Sequence, residues 1–223
     1  MNTINVRNDI NHRLLYAVHA IFEQGANRAN NRIGDTDEEK RDRCVRKDGG
    51  YKCIHLGPDQ FVSMLGSVLE HQEIPSRNVE TLKFLDVGCG VGEKVYLASL
   101  FGLQAFGLEL REPLIEEGTQ LFKQIGHGTT HWSEVPKVDC FIQGDALKHD
   151  YKGFDILYFY CPLVDGNLQA KLETRIAKTA KKGAIVISAG ARGCFGYGDK
   201  DVAGWQRAET GGRDNTHYWI RKS

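Results

Sequence analysis

Between Leu85 and Val95 the chain reads LDVGCGVGEKV, with glycine at 88, 90 and 92 and carboxylates at Asp86 and Glu93 on either side. Glycine carries no side chain, so such a loop can turn tightly and let backbone approach a ligand. The dinucleotide fingerprint is Gly-x-Gly-x-x-Gly. Here the spacing is Gly-x-Gly-x-Gly, and Glu93 puts a negative charge where a pyrophosphate favours a neutral helix start. Acids beside the loop suit a cationic or zwitterionic ligand better. Glu109 lies 21 residues beyond Gly88, a separation at which a carboxylate can take the hydroxyls of a ribose. Asp145, in QGDAL, can accept from the exocyclic amine of an adenine or cap the following turn. Together these groups describe an adenosine site that makes no demand for phosphate.

The elements around these residues set where they fall. TLKFLDVG, QAFGLEL, VDCFIQGD, FDILYFYC and GAIVISAG read as strands. They alternate with helical patterns in EKVYLASLFG, REPLIEEGTQLFKQIG and NLQAKLETRIAKTA. That alternation predicts right-handed crossovers and a mostly parallel sheet covered on both faces, an α/β fold. AGWQRAET and NTHYWIRKS, separated by GGRD, predict a terminal antiparallel hairpin. In such sheets ligands bind at the carboxyl ends of the strands, where the glycine loop, Glu109 and Asp145 all fall.

The N-terminal part has a different character. Ile10, Leu14, Val18 and Ile21, widened by Leu15 and Phe22, predict a helix that stops at Gly25. A polar connection follows, then a hairpin over 43–56 around Asp48-Gly49-Gly50. A second helix begins near Pro58 and buries Phe61, Val62, Leu65, Val68 and Leu69.

From Leu82 to Ser223 the sequence resembles the class I S-adenosylmethionine-dependent methyltransferases. LDVGCGVG resembles their first motif, Glu109 their second-strand acid, and GDAL their third-strand ending. The resemblance implies a Rossmann-like seven-stranded, mostly parallel sheet with a C-terminal antiparallel hairpin over 79–223. It leaves 1–78 as an N-terminal helical extension, expected to act as a lid. It implies S-adenosyl-L-methionine as cofactor: Asp86, Gly88, Cys89, Gly90 and Gly92 at the methionine part, Glu109 at the ribose, and Asp145 and Ala146 at the adenine.

In that family the residues after the fourth strand border the transferred methyl. Members acting on adenine or glutamine carry Asn/Asp-Pro-Pro-Tyr/Phe there. This chain has Tyr160-Cys161-Pro162-Leu163, with Cys161 at the Asn/Asp position, which argues against those two acceptors. Tyr160 is the candidate for lining the reaction centre, although Tyr158, Phe159 and Tyr160 also read as ordinary strand formers. Asp165 is a candidate base, and equally a cap for the next helix. HLGPDQF and the glycine-rich loop ARGCFGYGDKDVAG are candidate walls of an acceptor pocket.

The composition bounds the rest. The formal net charge is zero, with slightly basic flanks (+2 each over 1–57 and 191–223) around a centre of −4, so no overall field selects a polyanion. A small molecule or a protein side chain is the favoured acceptor, with nucleic acid open. No apolar run reaches the roughly 18 residues of a membrane span. The six cysteines are too sparse for a disulfide scaffold and read as thiols of a cytoplasmic protein. Cys44, Cys53 and His55 lack the spacing and fourth ligand of structural zinc. Two competing readings remain. A nicotinamide oxidoreductase is disfavoured by the glycine spacing; a non-catalytic S-adenosylmethionine-binding module is left open, because methyl transfer needs no universal catalytic residue. The sequence sets no oligomeric state.

Overall fold

The computed structural model describes residues 12–33, 57–70, 74, 78–128, 138–189, 194–195, 202–209 and 217–222. Seven strands form one sheet: β1 (Lys83–Val87), β2 (Gln104–Glu109), β3 (Phe141–Gln143), β4 (Ile156–Tyr160), β5 (Ile185–Ala189), β6 (Trp205–Glu209) and β7 (His217–Arg221). Their order across the sheet is β3-β2-β1-β4-β5-β7-β6. The first five are parallel, with Phe84 paired to both Ala105 and Ile156. β7 runs antiparallel between β5 and β6, with Ile185 opposite Ile220. The expected Rossmann-like sheet with its antiparallel C-terminal pair is therefore present. The strand that joins it to β5 is the last in the chain.

The central strands are buried on both faces, so they read as continuous apolar runs instead of alternating ones. One face packs Phe84, Ile156, Tyr158 and Ile187 under α1 (His12–Arg32), α2 (Pro58–Leu69), α3 (Glu93–Ser99) and α4 (Glu112–Gly128). The other packs Leu85, Leu157, Phe159 and Val186 under α5 (Gly166–Thr179) with Phe195, Trp205 and Trp219. The third strand is shorter than VDCFIQGD suggests, because Val138–Cys140 coil into a 3₁₀ turn before it.

Two expectations for the first helix are corrected. Gly25 does not end α1, which runs on to Arg32. The buried stripe is Leu15, Val18, Phe22, Ala26 and Ala29, and Ile21 is exposed. The helical period continues through two alanines that hydropathy alone weighs lightly. Gly25 serves as a contact point, since a Cβ there would lie 2.5 Å from Leu121 Cδ1 on α4. Polar bonds fix the same crossing. Arg28 Nε and Arg32 Nη2 donate to Glu117 Oε1 and Oε2 at 2.9 and 2.7 Å, and Glu117 is buried. Thus α1 and α2 bury their apolar faces in the same cluster as β1, β4 and α3. The hairpin expected over 43–56, with Cys44, Cys53 and His55, lies outside the described residues. So does most of the loop 191–204.

Candidate functional site

The carboxyl ends of β1, β2 and β3 meet at one edge. The backbone leaves β1 through Gly88, Gly90 and Gly92, at φ of 78, 57 and 84°, values that L side chains rarely adopt. Close approach also demands the first of them. A Cβ on Gly88 would lie 2.7 Å from Cβ of Pro162, so the loops after β1 and β4 touch at this glycine. A Cβ on Gly92 would lie 2.6 Å from Cζ of Phe141 on β3. Helix α4 approaches the loop from the other side, where a Cβ on Gly118 would meet the Val91 carbonyl at 2.6 Å.

Glu109 clasps this loop. Its Oε2 accepts from Gly90 N–H at 3.0 Å, and its Oε1 accepts from Leu110 and Arg111 N–H at 2.8 and 2.9 Å. The strand backbone adds a second tie, from Gly88 and Cys89 N–H to the Leu108 carbonyl. The acid expected at the ribose thus also holds the glycine loop to the end of β2. The Cys89 thiol is buried on β2, where Gly107 makes room for it: a Cβ on Gly107 would lie 2.5 Å from Sγ. Asp86 is buried in β1, in register with Gly107 on one side and Tyr158 on the other.

Asp145 follows β3 at the same edge. Its Oδ1 accepts from Leu147 N–H at 2.9 Å, and its Oδ2 lies 3.3 Å from the exposed Lys148 Nζ. The Ala146 carbonyl accepts from the Tyr151 hydroxyl at 2.7 Å, which pins the turn. Leu110, which the sequence reading passed over, is 53 % exposed directly after Glu109.

Glu93 requires a correction. It was read as a charge facing a ligand at the helix start. Instead it is 1 % exposed and turned into the helical layer. Its Oε1 lies 2.8 Å from His19 Nδ1 on α1, and its Oε2 accepts from Lys94 Nζ at 2.9 Å. Lys94 in turn sits 5.8 Å from the centre of the Phe61 ring on α2. Glu93 therefore joins α1 and α2 to the glycine loop and sets no net charge against a phosphate. The neighbouring Lys94 is visible in the local sequence, but the partner that ties Glu93 to α1, His19, lies 74 residues away.

At the end of β4, Tyr160 is 40 % exposed while Tyr158 and Phe159 are buried. Tyr158 packs between Phe61 and Phe84, and burial, followed by the charge of Asp86, pushes its hydroxyl well above the ordinary tyrosine range. Cys161 has a φ of 40°, the one positive value outside glycine among the described residues. Strain of that kind persists where surrounding structure enforces it. Here Pro162 is held against Gly88. Asp165 caps α5, its Oδ1 accepting from Asn167 and Leu168 N–H at 2.7 and 3.1 Å. The cap is the role the structure displays for it. Among the described residues no cluster of His, Cys, Asp or Glu is placed to hold a metal ion. None of the described helices is long and apolar enough to cross a membrane.

The strand order and the inserted antiparallel β7 are those of the class I methyltransferase fold, and this chain adopts it. The first of two similar solved structures carries the likeness. An RNA methyltransferase from Salinibacter ruber, in complex with S-adenosyl-L-homocysteine, superposes with a TM-score of 0.51 at 19 % identity, over 76 % of this chain and 95 % of that one. Magnesium protoporphyrin IX methyltransferase from Synechocystis PCC 6803, with bound SAM, superposes with a TM-score of 0.49 at 19 % identity, over 73 % of this chain and 79 % of that one. No protein-family model matches the sequence, and no curated protein matches it.

Proposed function

We propose that the protein is a methyltransferase that uses S-adenosyl-L-methionine and methylates a small molecule or a protein side chain. The observation that carries this reading is the clasp between Glu109 and Gly90, at the edge where the loops after β1, β2 and β3 converge. It supports an adenosine site built from carboxylates and backbone: Glu109 for the ribose, Asp145 and Ala146 for the adenine edge, and Leu110 for the ring face. Asp86 and the Gly88–Gly92 loop, with Cys89 inside it, would take the zwitterionic end. The donor set fits this ligand, since three acids suit hydroxyls, an amine and an ammonium. A classical dinucleotide sheet runs 3-2-1-4-5-6. The antiparallel β7 inserted here favours the methyltransferase reading over a nicotinamide one.

When bound, S-adenosylmethionine supplies a methyl group on a positively charged sulfur, open to in-line attack. The chain's own task is to align the acceptor and exclude water, which contributes through orientation more than through acid–base chemistry. Tyr160 is our candidate for lining that centre; its half-exposure at the end of β4, where the loops after β1 and β4 touch, supports that role. Asp165 remains the candidate base, tested below. The neutral overall charge favours a small molecule or a protein side chain over a polyanion as acceptor. The free thiols of Cys140 and Cys194 accord with a reducing, cytoplasmic setting.

Methyl-tritiated S-adenosylmethionine, incubated with separate pools of small metabolites, proteins and RNA, tests the proposal. Label in the first or second pool supports it. Label in RNA alone overturns the acceptor assignment. Tight cofactor binding with no label in any pool favours a non-catalytic binding module.

A further inference from the structure

Two loops leave the sheet beside the adenosine-binding edge, one after β4 with Cys161, Pro162 and Leu163, and one after β5 with Cys194 and Phe195. Side chains of α5 join them. Leu163 N–H donates to Gln169 Oε1 at 3.4 Å, and Gln169 Nε2 donates to Glu173 Oε1 at 3.1 Å. Glu173 Oε2 accepts from Phe195 N–H at 2.9 Å. The Phe195 carbonyl accepts from Ser188 Oγ on β5 at 3.1 Å, and its ring packs on Trp205 and Trp219.

Gln169 and Glu173 are both fully buried, at 0 % exposure. They sit one helical turn apart, on the same inward face as Leu172 and Ile176. A helix that only covered a sheet would carry apolar residues at such positions. A buried carboxylate is a poor source of stability, and in some proteins buried polar groups instead fix a particular arrangement. What it fixes here is the relative position of two loops.

We infer that Gln169 and Glu173 are positioning residues that latch Leu163, after β4, to Phe195, after β5, on the acceptor side of the reaction centre. That this side faces an acceptor rests on the methyltransferase reading; the latch itself does not. It predicts that a change at Glu173 loosens the join between the two loops while the adenosine half stays intact.

Amide exchange at Leu163 and Phe195, read by NMR on the full chain, tests this. In E173Q the side chain keeps one acceptor and gains one donor, so it can satisfy Gln169 or Phe195 but not both, and exchange at Leu163 or Phe195 should rise at least tenfold, with S-adenosylhomocysteine affinity within twofold of wild type. In Q169L only Leu163 should accelerate. The double variant Q169E/E173Q reverses donor and acceptor and can remake all three bonds, so both amides should return towards wild-type protection. A purely space-filling role would give no such rescue. Unchanged exchange at both Leu163 and Phe195 in E173Q would overturn the latch, and so would failure of the double variant to restore protection. If E173Q does not fold, Q169L and the double variant decide the question by the same two amides. Absence of S-adenosylhomocysteine binding to wild type would remove the methyltransferase reading and leave the exchange result to judge the latch alone.

Discussion

Glu109 gathers the glycine loop and the end of β2 onto one carboxylate. Three backbone N–H groups, from Gly90, Leu110 and Arg111, converge on it in a nearly buried setting. Removing the acceptor leaves all three to find other partners, at about 1–3 kcal/mol for each that fails. Glu109→Ala should therefore lower the unfolding free energy by at least 2 kcal/mol in urea titration and weaken S-adenosylhomocysteine binding at least tenfold. A loss of affinity with unchanged stability would make it a ligand group alone. Asp165 asks a different question. Asparagine caps a helix as well as aspartate does, so Asp165→Asn keeps the cap and removes a base. Full turnover in that variant identifies a cap, whereas a fall of about 100-fold or more restores the base. The three glycines, Glu109 and Asp145 were legible because their spacing along the chain encodes their position at a strand end. Leu110 and the Gly88–Pro162 contact were not, because they exist only once β1, β2 and β4 lie side by side.

At the scale of elements, the glycine loop is shaped as much by its neighbours as by its own residues. Helix α4 presses Gly118 onto the Val91 carbonyl and onto Phe141, each 2.6 Å from where a Cβ would stand. Gly118→Ala should gain about 1 kcal/mol of helix propensity, yet the clash with a carbonyl that cannot swing aside should reverse the sign. We expect a net loss of about 1–3 kcal/mol and weaker S-adenosylhomocysteine binding by calorimetry. A stabilised variant would show that α4 and the loop can separate. On the other side of the loop, His19, Glu93, Lys94 and Phe61 tie α1 and α2 to α3. The strands and crossover helices were legible from periodicity. The true end of α1 was not, because Gly25, a stop signal by propensity, is retained inside the helix for a tertiary contact with Leu121. The role of Glu93 is hidden for a related reason: beside Lys94, its second partner, His19, comes from a distant helix.

At the scale of the whole molecule, α1 and α2 complete one face of the sheet, while α5 and the C-terminal strands complete the other. Burial in these layers leaves a mark on the pH response. The Cys140 thiol is pushed up to about 12, and the Tyr151 and Tyr158 hydroxyls are also raised, in each case mainly by burial. A group held protonated in the fold but free to ionise when unfolded supports the fold fully below its unfolded pKa. That support is lost as pH rises towards the folded value. Stability should thus fall from about pH 9 upward, by about 1.4 kcal/mol per pH unit for each such group. Cys140→Ala should flatten part of that slope in denaturant titrations at pH 8–11. An unchanged slope would mean that the thiol is hydrated in the native state.

The central claim, that this molecular edge binds an adenosine carrying a zwitterionic amino-acid tail and not a dinucleotide, is tested most directly by thermal unfolding with S-adenosylhomocysteine and with NAD. At about 100 times its dissociation constant a ligand stabilises by roughly 2.7 kcal/mol, or about 5–10 °C for a chain of this size. The account predicts that shift with S-adenosylhomocysteine and none with NAD. A shift with NAD alone would contradict it and make the glycine loop a variant dinucleotide cradle.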